Sequence, residues 1–137
     1  MEHSTEDIIR SNNLKATPAR VTILMLLQKS KTPLDVAEVA DYVKKHNIET
    51  NQSTIYRILN AFVENGLAKQ VEFQEGKSRY ELASLPHHHH AVCIKCGSVQ
   101  DIEHCEIEPI EKNLKKTSSF LVQNHNLEFF GLCSRCQ

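Results

Sequence analysis

The sequence predicts an α+β protein in two parts, with helices and a hairpin first and a smaller α/β part second. Three observations favour this fold class. Up to residue 64 the apolar residues recur at helical spacing, after Gly66 they follow the shorter period of strands, and beyond Pro86 the histidines and cysteines cluster. We expect the boundary between residues 83 and 84, which gives domains 1–83 and 84–137.

Capping residues mark the first three helices. They are Ser4 or Thr5 for a helix over residues 6–10, Thr17 with Pro18 at the first helical position, and Asp35 with Glu38 as a capping box. The helices should end at Asn12 and Asn13, near Ser30, and at Asn47. The inward residues expected from helical spacing are Val21, Leu24, Met25 and Leu27 in the second helix, and Val36, Val39, Ala40 and Val43 in the third.

A fourth helix follows, capped by Asn51, Gln52 or Ser53 and ended by Gly66, which suits a left-handed helix end. Its inward residues, at helical spacing, are Ile55, Ile58, Leu59, Phe62 and Val63. Its opposite face carries Ser53, Thr54, Tyr56, Arg57 and Asn60. Two strands, Leu67–Phe73 and Ser78–Leu82, then flank a turn over residues 74–77. Helices followed by a two-stranded wing predict a winged helix-turn-helix.

The charge balance argues against a protein that binds nucleic acid through bulk positive charge. The 16 Lys and Arg face 17 Asp and Glu, for a net charge of −1. The longest apolar run, Ile23–Leu27, is far shorter than the roughly 20 residues that span a bilayer. Residues 1–7 are acidic and polar and lack the features of a secretory signal. We therefore expect a cytoplasmic protein without membrane association, whose reduced thiols are available to metals.

In the second part we expect strands near 98–102 and 128–130 and a helix over about 107–116. Its most specific feature is two C-x-x-C pairs. The pairs are Cys93 with Cys96 and Cys133 with Cys136. Each pair suits a turn that aims two thiolates at one tetrahedral ion, so we predict a structural zinc site. Two redox-active pairs, or thiols buried as small apolar groups, are the alternatives. Cys105 is left over as a free, partly buried thiol.

Four consecutive histidines, residues 87–90, stand at the start of an expected strand. Because side chains alternate along a strand, His87 and His89 point to one face and His88 and His90 to the other. The run can therefore serve two metal sites, more exchangeable than one of four thiolates. Further candidate ligands are Glu81, Asp101, Glu103, His104, Glu108, Glu111 and His125. A solvated loop or a tag is the alternative, but the internal position and the flanking strand argue against both.

This combination resembles the ferric uptake regulator (Fur) superfamily of iron, zinc, nickel and peroxide sensors. The resemblance is carried by Leu14–Arg20, by Ser53–Arg57 in the fourth helix, by the histidine run and by the two C-x-x-C pairs, in this order. It covers nearly the whole chain, up to Cys136. It implies a winged-helix DNA-binding domain over residues 1–83 and a metal-binding α/β dimerisation domain over residues 84–137.

The resemblance also implies which residues hold metal. These are Cys93, Cys96, Cys133 and Cys136 for structural zinc, Glu81, His88, His90 and Asp101 for the regulatory metal, and His87, His89, Glu108 and His125 for an additional site. Many members add a His from the loop before the third helix, whereas residues 31–35 contain none. The candidates to replace it are His104, Cys105 or His3, and more remotely His46. His89 stands where iron sensors often have Asp, which favours zinc, while Asp101 is the residue that peroxide sensors favour.

The implied function is that of a homodimeric transcriptional repressor on a palindromic, A/T-rich operator, with Zn, Fe(II) or Mn as the regulatory metal. In the major groove Tyr56 would contact thymine methyl groups and Arg57 a phosphate or a guanine. Ser53 and Thr54 would bind phosphate at the N-terminus of the helix. The resemblance places Lys15 near an A·T-rich minor groove. Thr17 and Arg20 would add contacts to the DNA backbone.

Other functions are weighed against this one. A peroxide- or manganese-responsive regulator of the same family is the nearest alternative. A zinc metallohydrolase would need a catalytic spacing such as H-E-x-x-H, which the sequence lacks. A zinc-storage or interaction module leaves Ser53–Arg57 and the wing unexplained. We therefore expect a regulator and not an enzyme.

Overall fold

The structure, a computed structural model, describes residues 3–137. The chain divides into a first unit that ends at Ser84 and a second unit, Leu85–Gln137. The first unit contains α1 (Thr5–Ser11), α2 (Pro18–Lys29), β1 (Leu34–Asp35), α3 (Val36–Lys45), α4 (Gln52–Glu64), β2 (Ala68–Glu72) and β3 (Ser78–Leu82). The second contains β4 (His89–Cys93), β5 (Val99–Ile102), α5 (Glu108–Ser118) and β6 (Glu128–Gly131). The α+β fold class predicted from the sequence is confirmed.

Side-chain caps begin each helix of the first unit. Ser4 accepts the backbone N–H of Asp7 for α1, and Thr17 accepts that of Arg20 for α2. In α3, Asp35 accepts the N–H of Glu38 while Glu38 accepts that of Asp35, which completes the predicted capping box. For α4 the cap is Asn51, which accepts the N–H of Thr54 at 2.8 Å. Such a cap stabilises a helix by about 1 kcal/mol, so these starts are defined locally.

The core of the first unit is formed by the apolar faces of α2, α3 and α4 against Tyr80 of β3. Its fully buried members include Ile23, Leu24, Val39, Val43, Ile55, Leu59 and Phe62. One predicted core residue is wrong: Met25 is 48 % exposed, and Ile23 is buried in its stead. A helix turns by 100° per residue, so the stripe that includes Ile23, Leu24 and Leu27 leaves Met25 on the solvent side.

The predicted hairpin is present as β2 paired with β3, and a strand that the sequence did not predict, β1, extends it to a three-stranded sheet in the order β1-β3-β2. The added strand, β1, has two residues, with Leu34 opposite Tyr80 and Asp35 opposite Arg79. Positive φ angles at Gln74 and Gly76 turn the chain between β2 and β3. Two residues are too few to show an alternating pattern, so β1 is defined by its partner strand and not by its own sequence.

An ionic network joins the hairpin to the start of α3. Lys77 Nζ lies 2.6 Å from Asp35 Oδ2. Arg79, whose side chain is 10 % exposed, donates two hydrogen bonds to Glu75 and one, at 3.2 Å, to the carbonyl of Pro33. These bonds fix the wing against the segment that leads into α3.

In the second unit β4 is the central strand of the order β5-β4-β6. It runs antiparallel to β5, with His90 opposite Asp101, and parallel to β6, with Cys93 opposite Gly131. Every residue of α5 is at least partly exposed, and the helix ends at Ser119 in a left-handed conformation. Within residues 3–137, no helix has the length and apolar character needed to cross a membrane.

Candidate metal centres and nucleic-acid interface

The four cysteines of the C-x-x-C pairs lie together. The parallel pairing of β4 and β6 places Cys93 opposite Gly131, two residues before Cys133. Gly97, with a φ of 78°, turns the chain after Cys96, and its N–H donates to the carbonyl of Cys93 at 2.9 Å. The four Sγ atoms all lie within 4.8 Å of one another, and those of Cys96 and Cys133 are 3.7 Å apart.

This cysteine group fits a zinc ion. A tetrahedral ion with Zn–S bonds of about 2.3 Å separates its sulfur ligands by about 3.8 Å, close to the Cys96–Cys133 distance. Backbone N–H groups, that of Cys96 first, lower the pKa of Cys93 to about 5. The adjacent sulfur of Cys133 raises the pKa of Cys136 to about 12. Cys93 and Cys136 therefore ionise together only when a cation compensates their charge, as Zn²⁺ would.

A second group lies on one face of β4 and consists of His87, His89, Cys105 and His125. The sequence predicts three of these four residues together. The Nε2 atom of His125 lies 3.1 Å from that of His87 and 3.3 Å from that of His89. The Sγ atom of Cys105 lies 3.1 Å from His89 Nε2 and 3.2 Å from His125 Nε2. Burial, and then the neighbouring imidazoles, lower the pKa of His89, which keeps it neutral and able to act as a ligand.

Glu108, the fourth residue that the sequence groups with these histidines, lies elsewhere. Its side chain is 74 % exposed and pairs with Lys112 one helical turn further on, at 2.9 Å. The hydrogen bond from Lys112 lowers the pKa of Glu108. Glu111 of the same helix is the carboxylate that reaches the group, since its Oε1 lies 2.6 Å from His125 Nδ1. The structure thus places Cys105, and not Glu108, with the three histidines.

On the opposite face of β4, His88 and His90 lie with their ring centroids 4.7 Å apart. His90 Nε2 is 3.7 Å from Asp101 Oδ1 across the β4–β5 pairing. His88 Nδ1 lies 2.7 Å from the carbonyl of Pro86, so in the neutral ring Nδ1 carries the proton and Nε2 carries the lone pair. Glu81, the fourth predicted member, is a buried residue of β3 in the first unit.

The candidates for the missing loop histidine have different positions. His46 caps the end of α3, where its ring stacks on Tyr42 and its Nδ1 contacts the Tyr42 carbonyl at 2.9 Å. Cys105 belongs to the group of His87, His89 and His125. Among the described residues, His3 and His104 join neither of the four-residue groups.

The predicted DNA-contacting face of α4 is exposed. Tyr56 is 48 % exposed and Arg57 is exposed beside it, while Ile55 and Ile58 are buried on the opposite face. Ser53 and Thr54 lie exposed in the first turn, but the N–H of Thr54 is already bonded to Asn51. A phosphate at this helix start would therefore depend on the Ser53 and Thr54 hydroxyl groups and on the remaining N–H groups.

Lys15 and Arg20 form a second cationic element, in which Lys15 is exposed and Arg20 is partly exposed. The Nη1 atom of Arg20 donates to the carbonyl of Lys15 at 3.1 Å, which fixes the loop before α2. The side chain of Lys15 is exposed. Sequence reasoning treated the two residues as separate cations and missed this contact, which shows that Arg20 also supports the position of Lys15.

Comparison with known proteins shows the family of the chain. The model of the ferric uptake regulator family matches residues 11–130. A ferric uptake regulation protein of Neisseria gonorrhoeae is 33 % identical over 130 residues, 94 % of this chain and 90 % of that protein. A peroxide-responsive repressor, PerR, of Staphylococcus saprophyticus is 30 % identical over 140 residues, 100 % of this chain and 94 % of that protein.

Solved structures share the fold. The Fur protein of Vibrio cholerae superposes with a TM-score of 0.81 at 31 % identity, over 92 % of this chain and 97 % of that one. The Helicobacter pylori Fur structure, described as having three functional metal-binding sites, gives 0.83 at 28 % identity, over 94 % and 86 %. A zinc-bound manganese uptake regulator gives 0.78 at 27 % identity, over 96 % and 99 %.

A winged helix joined to a unit rich in metal-binding groups defines a metal-responsive transcription regulator, which is not an enzyme. This chain belongs to the ferric uptake regulator family.

Proposed function

We propose that the protein is a homodimeric, DNA-binding repressor whose affinity for its operator is controlled by a divalent metal. The observation that carries the proposal is the division of the histidine run between the two faces of β4, in a chain that also exposes the recognition face of α4. Because the partner is chromosomal DNA, we propose that the protein acts in the cytoplasm.

The structural metal in this proposal is zinc, held by Cys93, Cys96, Cys133 and Cys136. Their sulfur spacing and chemistry support a closed four-thiolate site. Because its ligands come from β4 and from the segment after β6, this site would join the two ends of the second unit. Its role would be to stabilise the fold and not to sense metal.

The regulatory ligands in this proposal are Glu81, His88, His90 and Asp101. Two imidazoles and two carboxylates form a set that exchanges metal more readily than four thiolates do. Bound there, a divalent ion would supply the positive charge that compensates both carboxylates. Metal bound by these ligands would shift the protein toward its DNA-binding state by no more than the difference between its affinities for the two states.

DNA recognition would come from few cations, since the net charge of the chain is −1. Tyr56 and Arg57 would read base edges in the major groove, and Ser53 and Thr54 would contact phosphate. Lys15 would reach the minor groove, with Arg20 holding its backbone in place. With so few phosphate contacts, non-specific affinity should be weak and the operator should need two copies of this surface.

Dimerisation would use the apolar surface of the second unit. Its exposed large apolar side chains are Ile94, Ile110, Leu114, Phe120, Leu121, Phe129, Phe130 and Leu132. A surface this apolar is expected to be covered by another protein surface. A second copy of the chain would cover it, and the two-fold symmetry would match a palindromic operator, which we expect to be A/T-rich.

For the regulatory metal we favour zinc over Fe(II), because His89 stands where iron sensors of the family often have Asp. Response to manganese or to peroxide is the second candidate, supported by the similarity to a peroxide-responsive repressor and to a manganese uptake regulator. The two candidates differ in which metal raises DNA affinity.

The test is fluorescence anisotropy of labelled promoter DNA from the protein's own gene, with chelator and with Zn, Fe(II) or Mn added in turn. We expect one metal to tighten binding at least tenfold. His90→Ala should abolish this increase, and Arg57→Ala should weaken binding at every metal concentration. Equal affinity in chelator and in all three metals would refute metal control.

A further inference from the structure

We propose that Cys105 is a metal ligand, which completes a site of three imidazoles and one thiolate with His87, His89 and His125. Cys105 lies in the irregular segment between β5 and α5. The inference deepens the proposed function and rests on it only in one respect, that the protein binds metal. It replaces the carboxylate ligand expected at the additional site with a sulfur ligand.

The spacing of the four atoms fits one tetrahedral ion. Bonds of about 2.0 Å to nitrogen and 2.3 Å to sulfur place nitrogen ligands about 3.4 Å apart and a sulfur about 3.5 Å from each nitrogen. Four of the six distances between these atoms lie between 3.1 and 3.3 Å, and the other two, from His87 to His89 and to Cys105, are within 4.8 Å. Each histidine presents its Nε2 atom, so the four donor atoms converge on one point between them.

Hydrogen bonds alone do not account for this convergence. His125 Nε2 contacts His87 Nε2, His89 Nε2 and Cys105 Sγ at 3.1 to 3.3 Å. Because His125 Nδ1 donates its proton to Glu111, Nε2 carries a single lone pair. One lone pair accepts one good hydrogen bond and not three. A single cation satisfies all four donor atoms at once.

Glu111 acts on this site through His125. Its carboxylate holds the Nδ1 proton at 2.6 Å, which fixes the tautomer and the ring orientation of the ligand. Metal-bound histidines commonly have such a partner, and its loss costs about 10- to 100-fold in metal affinity. Glu111 is therefore a positioning residue, while Glu108, paired with Lys112, is a matched carboxylate one turn away that should have no such effect.

A thiolate in place of a carboxylate changes which metals the site prefers. Sulfur favours borderline and soft ions such as Zn²⁺ and Co²⁺, whereas carboxylates suit Mn²⁺ and other hard ions. The site should therefore bind zinc or cobalt and discriminate against manganese.

The test is titration of Co²⁺ into the full-length protein that retains its structural zinc, without DNA. Wild type should show a near-ultraviolet thiolate-to-cobalt absorption band, and Cys105→Asp, which keeps a ligand, should bind cobalt without the band. Glu108→Gln should match wild type. In zinc competition with a chelator, Cys105→Ser and Glu111→Gln should lose at least about tenfold in affinity, as loss of a ligand or of its partner predicts.

Circular dichroism and one retained zinc per chain establish that each variant is folded. Cobalt that replaces the structural zinc gives a band in wild type and in Cys105→Asp alike, so only the difference between the two spectra counts. Equal bands in these two proteins, or loss of zinc affinity in Glu108→Gln with Cys105→Ser unchanged, would overturn the proposal. Failure of metal control in the DNA assay would leave this result untouched, so the two proposals fail separately.

Discussion

Arg79 should be one of the most sensitive positions of the wing. Its guanidinium, 10 % exposed, makes a two-bond pair with Glu75 at 2.8 and 2.9 Å and a hydrogen bond to the carbonyl of Pro33. It also lies over the ring of Phe73, 5.7 Å from the centroid. Arg79→Ala removes all of these contacts and leaves a carboxylate and a carbonyl without their donor.

The expected loss follows from these contacts. Breaking a buried pair from one side costs about 3–5 kcal/mol, and we take the lower limit because the Glu75 side chain is 22 % exposed. Glu38, the third charged group, is 47 % exposed, and its Oε1 lies 3.5 Å from Arg79 Nη1. Losing this exposed pair therefore adds little to the cost. We therefore expect a loss of about 3 kcal/mol for Arg79→Ala. Arg79→Lys keeps the charge but not the two-bond geometry, and should lose about half as much.

The assay is urea unfolding followed by the helical circular dichroism signal. This signal comes mostly from the first unit, which holds four of the five helices found in residues 3–137. Arg10→Ala is the control, since Arg10 forms an exposed pair with Asp7 at 3.8 Å and should change stability by less than about 0.5 kcal/mol. If Arg79→Ala were no more destabilised than Arg10→Ala, the network would not hold the wing to α3.

Three further predictions concern acid, assembly and zinc. The hydrogen bond from Arg79 lowers the pKa of Glu75 below its ordinary value of 4.5. The Glu75 carboxylate therefore stabilises the fold above pH 4.5, and this stabilisation is lost as the pH falls through the lowered pKa. When stability is measured during acid titration, Glu75→Gln should lose less of it than wild type. Phe129→Glu should give a monomer by light scattering, whereas Met25→Glu, equally exposed in the first unit, should leave the oligomer unchanged; a dimeric Phe129→Glu protein would argue against this interface. Cys136→Ser should lose its tightly bound zinc and its dimer. A folded, dimeric variant with the full zinc content of wild type would contradict the structural site.

Local signals in the sequence predict most of the first unit. Each helix start depends on a side chain within three residues of the N–H group that it caps, as with Asn51 and Thr54. Strand alternation likewise separates the two pairs of histidines without knowledge of the fold. These features are predictable because sequence neighbours determine them.

The features that the sequence misses depend on distant partners. Strand β1 exists because Leu34 pairs with Tyr80, a residue 46 positions further along the chain. Cys105 lies in an irregular segment without a periodic pattern to orient it, so neither spacing nor resemblance places it beside His89. The resemblance implies Glu108 in its place, but the Glu108 carboxylate pairs with Lys112, its neighbour on the same helix.

The position of β4 explains how one run of histidines serves two faces. The strand is hydrogen bonded on both sides, and its pairing with β6 places Cys93 opposite Gly131. A shift of one residue would exchange the faces of His89 and His90, and would also move Cys93 away from Cys133. Zinc bound by the four cysteines would therefore fix the register of β4. The same register determines which imidazoles face Cys105 and which face Asp101, so both imidazole groups depend on the cysteine site although they share no ligand with it.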